Sequence, residues 1–115
     1  MLALALSPHL LVGGQITVTW TFATHNMDGT ALTDLAGAKV YYGTASGEYG
    51  FVIDVPGGEP GETRSYTLTG LEPGVAYYLN GTAYNSLGLE SDFGGEVVRI
   101  AQVVIPPPHG LRVIE

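Results

Sequence analysis

The chain has no cysteine, only four lysine and arginine residues among 115, and no long apolar run. Without cysteine, disulfide bonds and zinc sites built on thiolates are excluded, while the redox compartment stays open. The apolar runs are far shorter than the roughly 18 residues of a membrane-spanning helix, so we expect no membrane insertion. Eleven acidic residues give a net charge of −7, which repels nucleic acid phosphates and anionic lipid. The sequence therefore predicts no nucleic-acid partner.

The sequence also lacks a set of residues that could carry catalysis or hold a metal. His9, His25 and His109 lie far apart, without the spacing that brings two imidazoles to one ion. Asp28 and Asp34 could offer oxygen atoms to Ca²⁺, but the Asp-x-Asp-x-Asp-Gly spacing is missing and a solvated loop is favoured. No Gly-x-Ser-x-Gly motif occurs, and the paired carboxylates fall in predicted loops that give no contrast in pKa. We expect a protein that is not an enzyme and has no cofactor.

Glycine and proline are abundant, with 17 and 7 residues, while 45% of the chain is hydrophobic and 13% is charged. This composition argues against disorder and favours many short elements joined by tight turns. The length suits one domain with one core. An all-β domain is therefore the expected class.

Alternation of apolar and polar residues predicts the strands, since successive side chains in a strand point to opposite faces. The predicted strands cover residues 1–6, 15–22, 36–42, 49–55, 64–69, 77–84 and 96–102. We expect Tyr66 and Leu68 to point inward from the fifth of these, and Val98 and Ile100 from the last. Seven strands with regular turn signals indicate a sandwich of two antiparallel sheets.

Residues 71–85, with the sequence LEPGVAYYLNGTAYN, resemble the fibronectin type III family at the exit of strand E and through strand F. In this motif Pro73 and Gly74 form the turn between sheets, Leu71 closes the end of the sandwich, and the Tyr77 hydroxyl bonds to the backbone a few residues upstream. Weaker matches are Trp20 at the end of strand B, residues 40–43 in strand C, and residues 88–91 before strand G.

The resemblance implies a seven-stranded antiparallel immunoglobulin-like β-sandwich over residues 1–102, followed by a proline-rich linker and an extended tail over 103–115. It also implies that Trp20, Leu71 and Tyr77 share one buried interior. The chain departs from the family at Ala38, where an aromatic residue is usual, and at Gly81, where a β-branched residue is usual. We expect Trp20 to lean into the space that Gly81 leaves, because protein interiors tolerate few voids.

Four tyrosines form a candidate interaction surface, since their positions should face outward or toward a sheet edge: Tyr41, Tyr49, Tyr78 and Tyr84. Exposed tyrosines offer contact area to a protein or a sugar at a low entropic cost. Alternatively, they pair with one another across strands on the solvated face of the sheet. The sequence leaves both interpretations open, and they are compatible.

The C-terminal residues 103–115 contain three consecutive prolines, which favour an extended spacer. Residues 110–115 look like the start of another module's first strand, which indicates a truncated tandem array. Alternatively, Leu111, Val113 and Ile114 add as a strand to a neighbouring copy of the chain.

These observations predict a non-catalytic structural or interaction module that mediates protein–protein assembly on a cell surface, an extracellular filament or a phage virion. Its partners are other proteins or copies of itself. The alternative is a carbohydrate-binding or spacer module of a secreted polysaccharide-degrading enzyme. Both hypotheses place the protein outside the cell, at a cell surface or on a virion.

Overall fold

The computed structural model describes residues 13–103, 108 and 110–114. Within these residues the chain forms only β-strands, turns and irregular segments, and no helix. The strands are β1 (Gly14–Thr21), β2 (Leu35–Gly43), β3 (Phe51–Pro56), β4 (Thr63–Leu71), β5 (Ala76–Asn85), β6 (Val97–Ile100) and β7 (Gln102–Val103). The all-β prediction is confirmed for this part of the chain.

The strands form two antiparallel sheets, as expected of a β-sandwich. One sheet has the order β4-β1-β7 and the other has the order β3-β2-β5-β6. The final segment crosses between them, because β6 pairs with β5 and β7 pairs with β1. Ala101 lies at the crossing, where its N–H donates to the Val75 carbonyl and its own carbonyl accepts from the Gly74 N–H, both at 3.0 Å.

The strands predicted at 15–22, 36–42, 49–55, 64–69 and 77–84 overlap β1 to β5 in order. The strand predicted at 1–6 lies outside the described residues. The single strand predicted at 96–102 is divided into β6 and β7, so the domain boundary placed after residue 102 falls within β7. The predicted total of seven strands stays a prediction, because one of the predicted strands lies outside the described residues and another corresponds to two observed strands.

The two sheets share one buried interior, which draws residues from both inner faces. Its members are Ile16, Val40, Leu68, Leu71, Tyr77, Leu79 and Ala101. Leu68 of β4 and Leu79 of β5 are the most enclosed large side chains, one from each sheet. Leu71 and Tyr77 thus lie within this interior, and Trp20 packs against it while partly buried.

The prediction that Val98 and Ile100 point inward is wrong, since their side chains are 43% and 53% exposed. The register pairs Tyr77 with Arg99 and Leu79 with Val97, so the odd-numbered residues share the inner face. The pattern favoured the other face, because Val98 and Ile100 are both apolar whereas Arg99 of the odd-numbered set is charged. The buried residue of this segment is Ala101.

The prediction for β4 is correct for Leu68, whereas Tyr66 is exposed. Both residues belong to the same face, because Tyr66 pairs with Val18 and Leu68 pairs with Ile16. β4 is an edge strand, and a large side chain near its free side is covered only in part.

A hydrogen bond closes the turn between β4 and β5. The Glu72 N–H donates to the Tyr77 hydroxyl at 2.9 Å, which is the upstream backbone contact that the sequence predicts. Gly74 adopts a φ of +82° within the turn, a conformation that glycine accepts without steric strain. The bond therefore fixes Leu71 and Tyr77 relative to each other at one end of the interior.

Replacing Tyr77 by phenylalanine removes this bond and keeps the ring. We expect the free energy of unfolding to fall by about 1–2 kcal/mol, because the Glu72 N–H loses its acceptor. Urea denaturation followed by circular dichroism measures the change. The matched variant Tyr66→Phe, at an exposed position, should change stability by less than about 0.5 kcal/mol. Equal effects of the two variants would contradict the structural role of Tyr77.

Candidate functional site

The outer side of the four-stranded sheet carries the predicted tyrosines. Val40 and Leu79 point into the interior, so Tyr41 and its pairing partner Asn80 point outward. The same alternation places Tyr78 and Tyr84 of β5 outward. We term this surface the tyrosine face, and its sheet residues are Lys39, Tyr41, Val52, Asp54, Tyr78, Asn80, Thr82 and Tyr84.

Glu90 binds three side chains of the tyrosine face from the connection between β5 and β6. Its Oε1 accepts from the Tyr41 hydroxyl at 2.6 Å and from Thr82 Oγ1 at 2.7 Å. Its Oε2 lies 3.5 Å from Lys39 Nζ. The Tyr41 hydrogen bond, followed by that of Thr82, lowers the pKa of Glu90, while the bond to Glu90 raises the pKa of Tyr41. The ionised carboxylate therefore holds the connection against the sheet.

Glu96 makes a second anchor, between the same connection and the turn that joins β2 to β3. Its carboxylate accepts from the Ser46 hydroxyl at 2.7 Å, from the Gly47 N–H at 2.9 Å and from the Tyr49 hydroxyl. The Ser46 bond, followed by that of Tyr49, lowers the pKa of Glu96. The bond to Glu96 raises the pKa of Tyr49.

Phe93 lies between these two anchors in the chain, and its ring contacts the rings of Tyr41 and Tyr49. Its centroid is 5.1 Å from that of Tyr41 and 5.5 Å from that of Tyr49, with interplanar angles of 90° and 70°. Such edge-to-face contacts are favourable for aromatic rings. Tyr41 and Tyr49 are therefore held at both the ring and the hydroxyl.

Tyr84 is bound in a similar way on the other part of the face. Its hydroxyl donates to Asp54 Oδ1 at 2.6 Å, which raises the pKa of Tyr84. Lys39 Nζ lies 5.7 Å from the centre of the Tyr84 ring. Tyr78 pairs with Gly43 and Val98 at the side of the sheet that β6 closes. Three of the four tyrosine hydroxyls thus bind a carboxylate of the same chain, and the rings of Tyr41 and Tyr49 lie 6.4 Å apart.

A second surface is apolar and comes from the end of the chain. Leu111, Val113 and Ile114 are 88%, 82% and 91% exposed. We term residues 110–114 the apolar tail. All four residues of β6 are exposed as well, and Val98 and Ile100 lie on the same side of the sheet as the tyrosine face. The interaction residues predicted in the C-terminal segment thus lie at the surface.

A cleft of about 450 Å³ opens between the sheets beside Trp20. Small residues line it, among them Ala38, Gly81 and Gly94. A Cβ atom added to Gly81 would meet only the Lys39 carbonyl, at 3.4 Å. Trp20 borders the space left by Gly81, as expected, but does not fill it. The Trp20 Nε1 atom is enclosed and has no hydrogen-bond partner among the described residues.

Asp28, considered above as a calcium ligand, accepts hydrogen bonds from a residue of its own turn. Its Oδ1 accepts from the Thr30 hydroxyl at 2.7 Å and from the Thr30 N–H at 3.0 Å, and these bonds lower the pKa of Asp28. Across the described residues, no group of three or more His, Asp or Glu side chains could hold a metal ion. Nor does that part of the chain contain a helix of the length and apolarity needed to cross a membrane.

Sequence reasoning placed Glu90 in an exposed loop and gave no role to Phe93 or Glu96. Apart from Thr82, their partners lie about fifty residues away in the chain, and no local pattern signals such contacts. The tyrosines carried a signal because a period-2 alternation could place them on the outer face.

No known family's sequence profile matches this chain, and no solved structure matches it. Among curated proteins, the Kelch domain-containing protein SSO1033 of Saccharolobus solfataricus is 37% identical over 51 residues. The match covers 44% of this chain and 7% of that protein. The chain thus spans a small part of the relative's length, and the similarity shows no family.

Acidification should release both glutamate anchors. A carboxyl whose pKa is lower in the folded chain than in the unfolded chain stabilises the fold above its ordinary pKa, about 4.3, and this stabilisation is lost as pH falls through the folded value. We expect the double variant Glu90→Gln, Glu96→Gln to lose less thermal stability than the parent between about pH 5 and pH 2. Thermal unfolding at each pH gives the comparison.

The matched double variant Glu48→Gln, Glu72→Gln removes the same charge from exposed positions outside the two anchors. It should keep the acid sensitivity of the parent. An acid sensitivity that stays unchanged in the Glu90 and Glu96 variant would show that these carboxylates do not anchor the connection.

Proposed function

We propose that this chain is a non-catalytic interaction module of the fibronectin type III kind, which assembles with copies of itself or with other proteins. The apolar tail carries the proposal, since Leu111, Val113 and Ile114 are each more than four-fifths exposed. Burial of such side chains against a partner is favourable by about 1.5–3 kcal/mol each. Clustered exposed apolar residues of this kind are typical of association surfaces.

Two features support the fibronectin type III assignment. The Tyr77 hydroxyl accepts from the backbone five residues upstream, as the family resemblance implies. The sheet order β3-β2-β5-β6 corresponds to strands C′, C, F and G of the resemblance, and β1 pairs with β4 as B with E. These features concern the fold, and the assembly role rests on the exposed surfaces.

The negative charge of the chain is compatible with a module that associates through specific contacts between apolar surfaces. A net charge of −7 makes two copies repel each other over distances of about a Debye length, roughly 8 Å at physiological salt. Only a contact that buries enough apolar surface overcomes this repulsion. Assembly on a cell surface, a filament or a virion, outside the cell, is the setting that we propose for it.

Carbohydrate binding is a second candidate, in which the chain is a binding or spacer module of a secreted enzyme. The exposed ring of Phe93 beside Tyr41 and Tyr49 favours it, because aromatic rings are suitable surfaces for sugars. The edge-to-face arrangement leaves no broad flat platform, and we rank this candidate below assembly. Binding to a glycan array by the monomeric chain would reverse that order.

Light scattering over about 1 µM to 1 mM chain tests the assembly proposal. The average mass should rise with concentration for the parent and stay near 12.1 kDa for Leu111→Asp. Leu87 supplies the control, since it is also a leucine and is 80% exposed, but lies in the connection between β5 and β6. Leu87→Asp should assemble like the parent. A parent that stays monomeric throughout, or two variants that behave alike, would contradict the proposal.

A further inference from the structure

The strand β6 turns its apolar side chains outward and its charged side chain inward. Val98 and Ile100 lie on the outer side of the four-stranded sheet, where they are 43% and 53% exposed. Arg99 pairs with Tyr77 and lies on the inner side. A sheet with one solvated side usually has the opposite arrangement, with apolar residues inward and polar residues outward. Neighbouring apolar residues on the outer side are typical of a surface that a partner covers.

Tyr78 extends this outer surface from β6 to β5. It pairs with Val98, and Ala76 pairs with Ile100, so these side chains are direct neighbours on one side of the sheet. Tyr78 is half-buried, and its ring lies beside the exposed β6 residues. We term Tyr78, Val98 and Ile100 the apolar ridge. It offers a continuous apolar surface that spans two neighbouring strands.

The turn between β2 and β3 forms a wall along one side of the apolar ridge. Gly43 of β2 pairs with Tyr78, and a Cβ atom added at Gly43 would meet the Glu48 carbonyl oxygen. The turn therefore passes over Gly43 on the outer side of the sheet. Glu96 binds the same turn through the Gly47 N–H, and Glu48 is exposed within it. Two carboxylates thus make this wall acidic.

The apolar tail matches the ridge in spacing and the wall in charge. Leu111 and Val113 are two residues apart, which is also the spacing of the two β6 residues of the ridge, about 7 Å in an extended chain. Arg112 lies between them and is the one charged residue of the apolar tail. When Leu111 and Val113 face the sheet, Arg112 points away from it, at the height of the wall. The acidic wall then offers Arg112 a partner of opposite charge.

The charges favour the tail of a second copy as the occupant of the ridge. Two copies that met through their sheets would bring acidic surfaces together, since the net charge is −7. The tail instead brings a cation to the acidic wall. The chain's own tail does not cover the ridge, because Leu111 and Val113 are 88% and 82% exposed. The chain also leaves toward its tail from the other sheet, where β7 pairs with β1.

We propose that residues 110–114 of one copy bind the apolar ridge of the next copy. Leu111 and Val113 cover the ridge, and Arg112 pairs with the carboxylates of the wall. Each copy has one tail and one ridge, so the contact is head-to-tail and the assembly is open-ended. This inference rests on the proposed self-assembly and names its site.

A complementation experiment with full-length variants tests it. The tail variant carries Leu111→Ser and Val113→Ser, and the ridge variant carries Val98→Thr and Ile100→Thr. These substitutions leave the net charge unchanged, and threonine keeps the β-branched side chains that strands favour. Each variant should weaken the contact at least about 30-fold and sediment as a monomer where the parent assembles. Their equimolar mixture should form a dimer and stop there, because only one working contact remains.

The double variant Val52→Thr, Val103→Thr is the matched control for the ridge variant. Val52 and Val103 are 52% and 47% exposed, and they lie outside the ridge, in β3 and β7. The control loses apolar surface of the same kind and should assemble like the parent. Formation of the dimer in the mixture also shows that the tail and ridge variants are folded.

A charge reversal tests the wall. Arg112→Glu should weaken association roughly fivefold, because it replaces an attraction to the wall by a repulsion. Glu48→Arg in the same chain should recover part of this loss. A variant Arg112→Glu that associates as tightly as the parent would overturn the contact between Arg112 and the wall.

The outcomes separate this inference from the proposed function. If the parent does not assemble, the proposed function fails. If the parent assembles and the ridge variant assembles equally well, the tail binds elsewhere and the inference alone is wrong. The inference is also wrong if the control loses as much association as the ridge variant, or if the mixture of the tail and ridge variants stays monomeric.

Discussion

The contact between the inner faces of the two sheets determines the rest of this structure. Leu68 and Leu79, one from each sheet, are almost fully enclosed, and burial of each contributes about 1.5–3 kcal/mol. At one end, the hydrogen bond between Tyr77 and the Glu72 N–H closes this contact, and Ala101 carries the chain from one sheet to the other. At the other end, the described residues of both sheets line the cleft beside Trp20.

The cleft beside Trp20 has a local cause in the sequence. Ala38, Gly81 and Gly94 place little or no side chain where the sheets face each other around Trp20. A single large residue at Gly81 could occupy part of this volume, since its Cβ would find room.

Much of the fold could be predicted from the sequence, because the apolar and polar residues of β1, β2, β4 and β5 alternate with clear contrast. The bond between the Tyr77 hydroxyl and the backbone could be predicted because residues 71–85 resemble the fibronectin type III motif in which this bond occurs. The orientation of β6 could not be predicted, because Arg99 on the inner face is charged while Val98 and Ile100 on the outer face are apolar, so the local pattern favours the opposite orientation. The Glu90 and Glu96 anchors could not either, because they join residues about fifty positions apart.

The two candidate surfaces differ in how many of their side chains have partners within the same chain. On the tyrosine face, Tyr41, Tyr49 and Tyr84 already bind carboxylates of the same chain, so the polar groups have their partners. The apolar side chains of the tail are exposed. Burial of these side chains against a partner is the feature on which the proposed assembly rests.

Trp20 is the single tryptophan, and it packs against the interior that the two sheets share. Its emission and its quenching by acrylamide, compared between the folded chain and the chain unfolded in urea, test this shared interior most directly. The account predicts emission at shorter wavelength and weaker quenching in the folded chain. Equal emission and equal quenching in the two states would contradict it.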